Sequence, residues 1–163
     1  MPGNTMKSSK KGIIFVIVQG VIIAAFMLIP VWRPGIPEWF FQKTFMFRSV
    51  SSVFLAMASL LLGGSGFWNL RKYITPLPEP VESNELVTSG AYLYVRHPLY
   101  SSIMFAGASW TAYTCSISHF LMLCLAFVFF SLKADYEEGL LLQKHSGYAQ
   151  YAANVKKFIP WVY

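Results

Sequence analysis

Charge is what this chain has least of. Of 163 residues, 13 are Lys or Arg and 7 are Asp or Glu, so charged side chains make up 12%. A soluble domain carries about 25%, because water must solvate its surface, and so small a share excludes an ordinary water-soluble globule. The two cysteines, Cys115 and Cys124, sit in apolar surroundings without metal-ligand spacing and are expected to be small buried fillers. His97, His119 and His145 likewise lack ligand spacing, so no metal is expected. No nucleophilic triad, no phosphate-binding glycine loop and no internal repeat is present. The net charge of +6 is spread thinly, whereas a nucleic-acid footprint gathers Lys and Arg on one face. No nucleic-acid partner is expected, and an anionic inner-leaflet surface is the natural counterpart of the excess charge.

What the chain has instead is apolar surface. Apolar residues make up 55% and the mean hydropathy is +0.48. The solvent for such a surface is the lipid bilayer. Residues 13–29 are free of charge, preceded by Lys7, Lys10 and Lys11 and followed by Pro30-Val31-Trp32-Arg33. No small-x-small cleavage site follows them, so this is a retained helix rather than a removed leader. Residues 49–68 form a second uncharged stretch, ending before Arg71-Lys72. Each is near the ~20 residues of a bilayer crossing. Residues 100–132 are apolar again, broken by the polar patch at 114–118. They read as two helices of about 16 residues, roughly 24 Å each, joined as a tight hairpin and short for a hydrocarbon core of ~30 Å.

The expected architecture is therefore an all-α integral membrane protein of about four transmembrane helices. After Lys133, Tyr148, Tyr151, Val155, Phe158 and Ile159 recur at helical spacing, which predicts a C-terminal amphipathic helix at the interface. Pro76, Pro78 and Pro80 make 75–81 an extended connector. Trp32, Trp39, Phe40, Phe41, Phe45 and Phe47 suit an interfacial aromatic belt. A single membrane domain, 1–163, is expected, with residues 1–72 as a two-span anchor and 73–163 as the half that carries polar chemistry.

Two polar segments flank the expected hairpin. One runs from Glu85 through Arg96-His97-Pro98 to Tyr100, and the other holds Asp135, Glu137 and Glu138. A hairpin would bring Arg96 and His97 near Glu137 and Glu138. Charges at span ends ordinarily anchor topology, and Arg96 can serve simply as the ion-pair partner of Glu137 or Glu138. A functional role is favoured by Pro98 at a helix start, which leaves backbone donors free nearby. The Gly90-Ala91-Tyr92 turn also permits close approach of a ligand. A cleft with both signs of charge and Tyr92, Tyr94 and Tyr100 suits a zwitterionic ligand bearing an aromatic ring.

Five elements occur in order: Leu86-Val87-Thr88-Ser89-Gly90-Ala91-Tyr92; Val95-Arg96-His97-Pro98-Leu99-Tyr100; Glu137-Glu138 with Leu141; Tyr148 with Tyr151; and Phe158-Ile159-Pro160. Together they resemble the isoprenylcysteine carboxyl methyltransferase and phospholipid methyltransferase superfamily, from about residue 75 onward. The resemblance implies an S-adenosylmethionine-dependent membrane methyltransferase whose lipophilic or lipid-anchored acceptor enters from the bilayer. Carried over by position, Gly90, Tyr92, Arg96, His97, Pro98 and Tyr100 form one wall of the cofactor pocket. Glu137 and Glu138 form the other, with Leu141 beneath and Tyr148 and Tyr151 as a lid. Arg96, His97 and Glu138 are the implied catalytic residues, with Arg96 able to bind a carboxylate through two hydrogen bonds. A carboxylate acceptor needs no base, whereas an amine or phenol needs one, for which His97 or a glutamate of the pair is available. Ala91 and Ser102 stand where proline and glycine are common in the family. Two alternatives stay open: a membrane reductase of the sterol-reductase type using NADPH, which shares a similar Arg-His-Pro element, and a non-catalytic adaptor on the same scaffold.

Orientation follows from the basic residues. With the N-terminus inside, Lys7, Lys10, Lys11, Arg71, Lys72, Arg96, Lys133, Lys144, Lys156 and Lys157 are cytoplasmic, against Arg33, Lys43 and Arg48 outside. The expected location is an inner membrane of bacterial type, with both termini in the cytoplasm. Reporter fusions at residue 5 and after Tyr163 should both report the cytoplasm, and an external C-terminus overturns the four-span arrangement.

Overall fold

A computed structural model of the chain describes residues 5–71 and 86–163. The connector expected at 75–81 lies outside the described residues, as do Lys72, Glu85 and the side chain of Lys7. All regular elements among the described residues are helical: α1 (Thr5–Leu28), α2 (Glu38–Leu70), a 3-10 turn (Gly90–Leu93), α3 (Pro98–Thr114), α4 (Ile117–Lys144) and α5 (Tyr148–Asn154).

Among the described residues three helices are long and apolar enough to cross a membrane: α1 from Lys10 to Leu28, α2, and α4. In the best windows of α1 and α2 only 11% of residues are buried inside the protein. Long apolar helices left this open to their surroundings need hydrocarbon as solvent, and the chain is an integral membrane protein. The fourth expected span, α3, has 17 residues, about 25 Å, and falls short of the three in length. It nevertheless runs between the same two ends of the bundle. At one end Ile117 N donates to the Trp32 carbonyl at 2.8 Å, so the α3–α4 link meets the α1–α2 loop. At the other, Ala91 N donates to Ser65 Oγ of α2 at 3.0 Å.

Two expected lengths are corrected. α4 has 28 residues, about 42 Å, where about 16 were expected. Nothing from Lys133 to Lys144 breaks a helix, so Asp135, Glu137 and Glu138 lie on α4 itself. The amphipathic helix expected through Ile159 stops at Asn154. The chain then runs beside the segment before α3, with Arg96 N donating to Lys156 O at 2.8 Å and His97 N to Lys157 O at 3.1 Å. Phe158, expected on an interfacial stripe, is buried in the core with Ile22, Ala126 and Phe130.

α2 and α3 approach closely through small residues. Ser52 Oγ donates to Ser109 O and Ser109 Oγ to Ser52 O, at 3.0 and 2.8 Å. Ser59 Oγ donates to Ser102 O at 2.7 Å. A Cβ built on Gly66 would lie 3.0 Å from Pro98. Between helices in lipid, such contacts and hydrogen bonds replace the hydrophobic drive that water supplies. α3 ends where Cys115 adopts a left-handed backbone, φ 50°, and α4 begins at Ser116, whose side chain caps His119 N.

Two further expectations change. Cys124 is exposed on α4, because its side of the helix faces away from the bundle. Phe41 leaves the aromatic belt: it is buried, with the Arg33 and Arg48 guanidinium carbons 4.1 and 4.7 Å from its ring centre. Arg48 also donates to the Phe41 and Tyr113 carbonyls, so it ties α2 to the end of α3 rather than resting at an outer surface.

Gly90 opens the turn that carries Tyr92. Its φ is +62°, and a Cβ there would lie 1.8 Å from Asn69 Nδ2, which donates to Ser89 O. Gly90→Ala therefore combines left-handed strain with displacement of Asn69. It should lower stability by about 1–3 kcal/mol, read as thermal melting in detergent, and Asn69→Ala in the same chain should recover part of the loss.

Candidate functional site

The site is built on the segment between the 3-10 turn and α3. Asn69 and Ser65, on the last turns of α2, hold the backbone at Ser89 and Ala91, which fixes buried Tyr92. Pro98 occupies the first turn of α3, where a missing N–H is tolerated, and His97 sits immediately before it. Residues four apart share a helix face, so Lys133 and Glu137 of α4 point the same way, with Glu138 adjacent.

Arg96 and Glu138 form a half-buried bidentate pair, with Nε–Oε1 at 2.9 Å and Nη2–Oε2 at 3.2 Å. Arg96 Nη1 donates to the carbonyls of Ala152, at 2.9 Å, and Val155. The two hydrogen bonds expected to reach a ligand carboxylate are thus made to Glu138. Four of the five guanidinium donors are used, and one N–H on Nη2 remains. His97 lies between the glutamates, Nε2 at 3.0 Å from Glu138 Oε1 and Nδ1 at 3.6 Å from Glu137 Oε2. Tyr100 Oη donates to Glu137 Oε1 at 2.5 Å, and its ring stacks between His97 and Phe130. Lys133 Nζ lies 5.0 Å from the Tyr100 ring centre and donates to Gln19 Oε1 of α1 at 2.6 Å.

Beside this cluster is an open pocket with a cavity volume of about 80 Å³, with Leu70, Leu86, Val87 and Leu141 as its aliphatic face. Tyr92, Arg96, His145, Tyr148 and Tyr151 form the rest of its lining. That is below the about 300–1,000 Å³ of small-molecule sites, so the pocket has to widen to take a ligand of that size. Tyr151 Oη donates to the Tyr92 carbonyl at 2.6 Å, joining α5 to the turn across one side. Burial raises the Tyr151 hydroxyl to about 12 and lifts Tyr92 and Tyr148 above their ordinary range as well. All three stay protonated at neutral pH.

Of the residues singled out in the sequence, Tyr92, Arg96, Leu141, Tyr148 and Tyr151 line the pocket. His97, Tyr100, Glu137 and Glu138 stand outside its lining, in the cluster joined to Arg96. Gly90 shapes the turn, and Pro98 packs on Gly66 of α2. Leu70, Leu86, Val87 and His145 line the pocket without having been singled out as site residues. A leucine in an apolar run carries no signal of its own, whereas a histidine just before the Tyr148-x-x-Tyr151 element is a signal that could have been used.

These features define an integral membrane protein with a charged cluster and a pocket at one end of its helices. The sequence model of the isoprenylcysteine carboxyl methyltransferase family matches residues 45–143, and the chain belongs to that family. The match begins inside α2, earlier than the resemblance read from residue 75, and takes in Arg96, His97, Glu137 and Glu138. The chain is also similar to Protein-S-isoprenylcysteine O-methyltransferase B of Arabidopsis thaliana, 27% identical over 135 residues. That similarity covers 81% of this chain and 66% of the relative, so the chain spans just under two thirds of the relative's length.

Lysine cannot reproduce the Arg96 fork. Arg96→Lys should leave Glu138 and the carbonyls of Ala152 and Val155 incompletely paired, and lower the stability of the ligand-free protein by about 2–4 kcal/mol. Chemical denaturation in detergent checks this, and wild-type stability in the variant would show that the pair does not hold the C-terminal segment.

Proposed function

We propose that the chain is a membrane-embedded S-adenosylmethionine-dependent methyltransferase acting on a lipophilic or lipid-anchored acceptor, a prenylcysteine-like carboxylate or a phospholipid-like amine. The observation that carries this reading is the family match over 45–143, because that stretch contains both halves of the Arg96–Glu138 cluster. The chemistry of the pocket lining suits the cofactor. Tyr148 and His145 line the pocket, and their buried Oη and Nε2 atoms have no hydrogen-bond partner among the described residues. Buried polar atoms are normally paired, so both atoms lack a partner that a ligand with polar atoms of its own would supply once the wall yields to it. The aliphatic wall and three protonated tyrosines suit a flat base and a ribose.

When bound, S-adenosylmethionine supplies a methyl group on an already activated sulfonium carbon. The task left to the protein is alignment, which can lower a barrier by about 7–11 kcal/mol. Arg96 offers its remaining N–H, held in direction by the Glu138 pair. Tyr92 and Tyr148 donate from fixed positions, Tyr151 Oη accepts while its proton is held by the Tyr92 carbonyl, and Leu70, Leu86, Val87 and Leu141 keep water from the apolar side. His97 and Glu138 act on the site through Arg96, whose guanidinium they fix in direction. A carboxylate acceptor suits this arrangement best, because His97, Glu137 and Glu138 are all engaged with one another or with Arg96 and Tyr100, and none is left free as a base. The catalytic half is then 73–163 together with the Leu70 end of α2.

Calorimetry on the full chain in nanodiscs should detect binding of S-adenosylmethionine and S-adenosylhomocysteine and none of NADPH. Labelled methyl transfer to prenylcysteine analogues and to phosphatidylethanolamine identifies the acceptor class. Tight NADPH binding without binding of either sulfur cofactor would replace this reading with a reductase.

A further inference from the structure

His145 has no place among the five sequence elements, yet it closes α4 and lines the pocket. Three buried side-chain atoms have no hydrogen-bond partner among the described residues, and two of them, His145 Nε2 and Tyr148 Oη, belong to residues that line this pocket. One short turn holds both: His145 N donates to Leu141 O at 2.8 Å and Tyr148 N to His145 O at 3.1 Å. A buried polar atom without a partner destabilises the fold. Two such atoms on one turn, carried by side chains that line one pocket, point to a partner that is not part of the chain.

The chemistry of the pair narrows that partner. Burial keeps the Tyr148 hydroxyl protonated, so it donates. With the ring proton on Nδ1, the His145 Nε2 accepts. The remainder of this part of the wall is aliphatic, from Leu70, Leu86, Val87 and Leu141. A donor and an acceptor at the margin of an apolar slot complement a flat heterocycle that presents an amino group beside a ring nitrogen. Ribose hydroxyls match the pair less well, since a diol gains little from aliphatic walls.

We propose that His145 and Tyr148 read the amino edge of the cofactor's adenine, His145 Nε2 accepting from the exocyclic amine and Tyr148 Oη donating to the neighbouring ring nitrogen. This rests on the cofactor reading above. His145 is then the residue that makes the pocket specific for adenine over other purines.

The test uses the full chain in nanodiscs, as wild type, His145→Phe and Tyr148→Phe, with three probes: S-adenosylhomocysteine, S-inosylhomocysteine and 2′-deoxy-S-adenosylhomocysteine. Wild type should bind the adenosyl probe about 10- to 100-fold more tightly than the inosyl probe, because the inosyl base leaves the pair mismatched. His145→Phe should weaken the adenosyl and deoxy probes alike by about 3- to 10-fold and leave the inosyl probe nearly unchanged. The melting temperature of each ligand-free variant should equal or exceed that of wild type, since each loses an unpaired buried polar atom. A structural role predicts lowered melting temperatures and equal losses for all probes, and either result overturns the proposal. Sensitivity to His145 that disappears with the deoxy probe assigns the pair to the ribose and also overturns it. Failure of wild type to bind any adenosyl probe removes the cofactor reading itself, whereas tight wild-type binding unaffected by both substitutions removes only the adenine assignment.

Discussion

A single guanidinium joins three parts of this protein that are distant in sequence. Arg96, on the segment before α3, grips Glu138 on α4 and the carbonyls of Ala152 and Val155 at the end of α5. In surroundings of low dielectric neither charge tolerates the loss of the other, so the pair acts as one unit. Through Glu138 it reaches His97, and through His97 the Glu137–Tyr100 hydrogen bond. The pocket exists because this unit holds the α5 tyrosines against the turn that carries Tyr92.

The bundle around it obeys the rules of lipid rather than of water. Many large apolar side chains face outward, and α2 meets α3 through serine and glycine, while Phe129, Phe130 and Phe158 fill the interior between the other elements. Arg48 at one end donates to the Tyr113 carbonyl, which the end of α3 leaves over, and Arg96 at the other end donates to the Ala152 and Val155 carbonyls, which the end of α5 leaves over. Lys133, buried in the middle with Gln19, ties α1 to α4 beside the site, although α1 lies outside the family match.

The pocket departs from the economy seen elsewhere in the chain. Most buried polar side chains among the described residues are paired, down to Ser101, whose hydroxyl lies within hydrogen-bond distance of both His97 O and Phe158 O. His145 Nε2 and Tyr148 Oη are left unpaired where the wall is otherwise aliphatic. Stability given up at one place, beside a cavity, is the pattern of a site organised for a ligand before it arrives.

Composition and periodicity by themselves determined the membrane class, the helical fold and the meeting of Arg96 and His97 with Glu137 and Glu138. These follow from local facts: runs of apolar residues near bilayer length, a proline that starts a helix, and charges at the ends of apolar runs. Helix extents were not legible in the same way. A helix continues until something stops it, and nothing in residues 133–144 of α4 does, whereas α5 stops at Asn154 because backbone bonds to Arg96 and His97 outcompete its last turns. The same limit hid His145 and Leu70. Whether a side chain lines a cavity depends on which distant elements close around it, and that was decided by the Arg96–Glu138 unit in three dimensions, where sequence spacing carries no information.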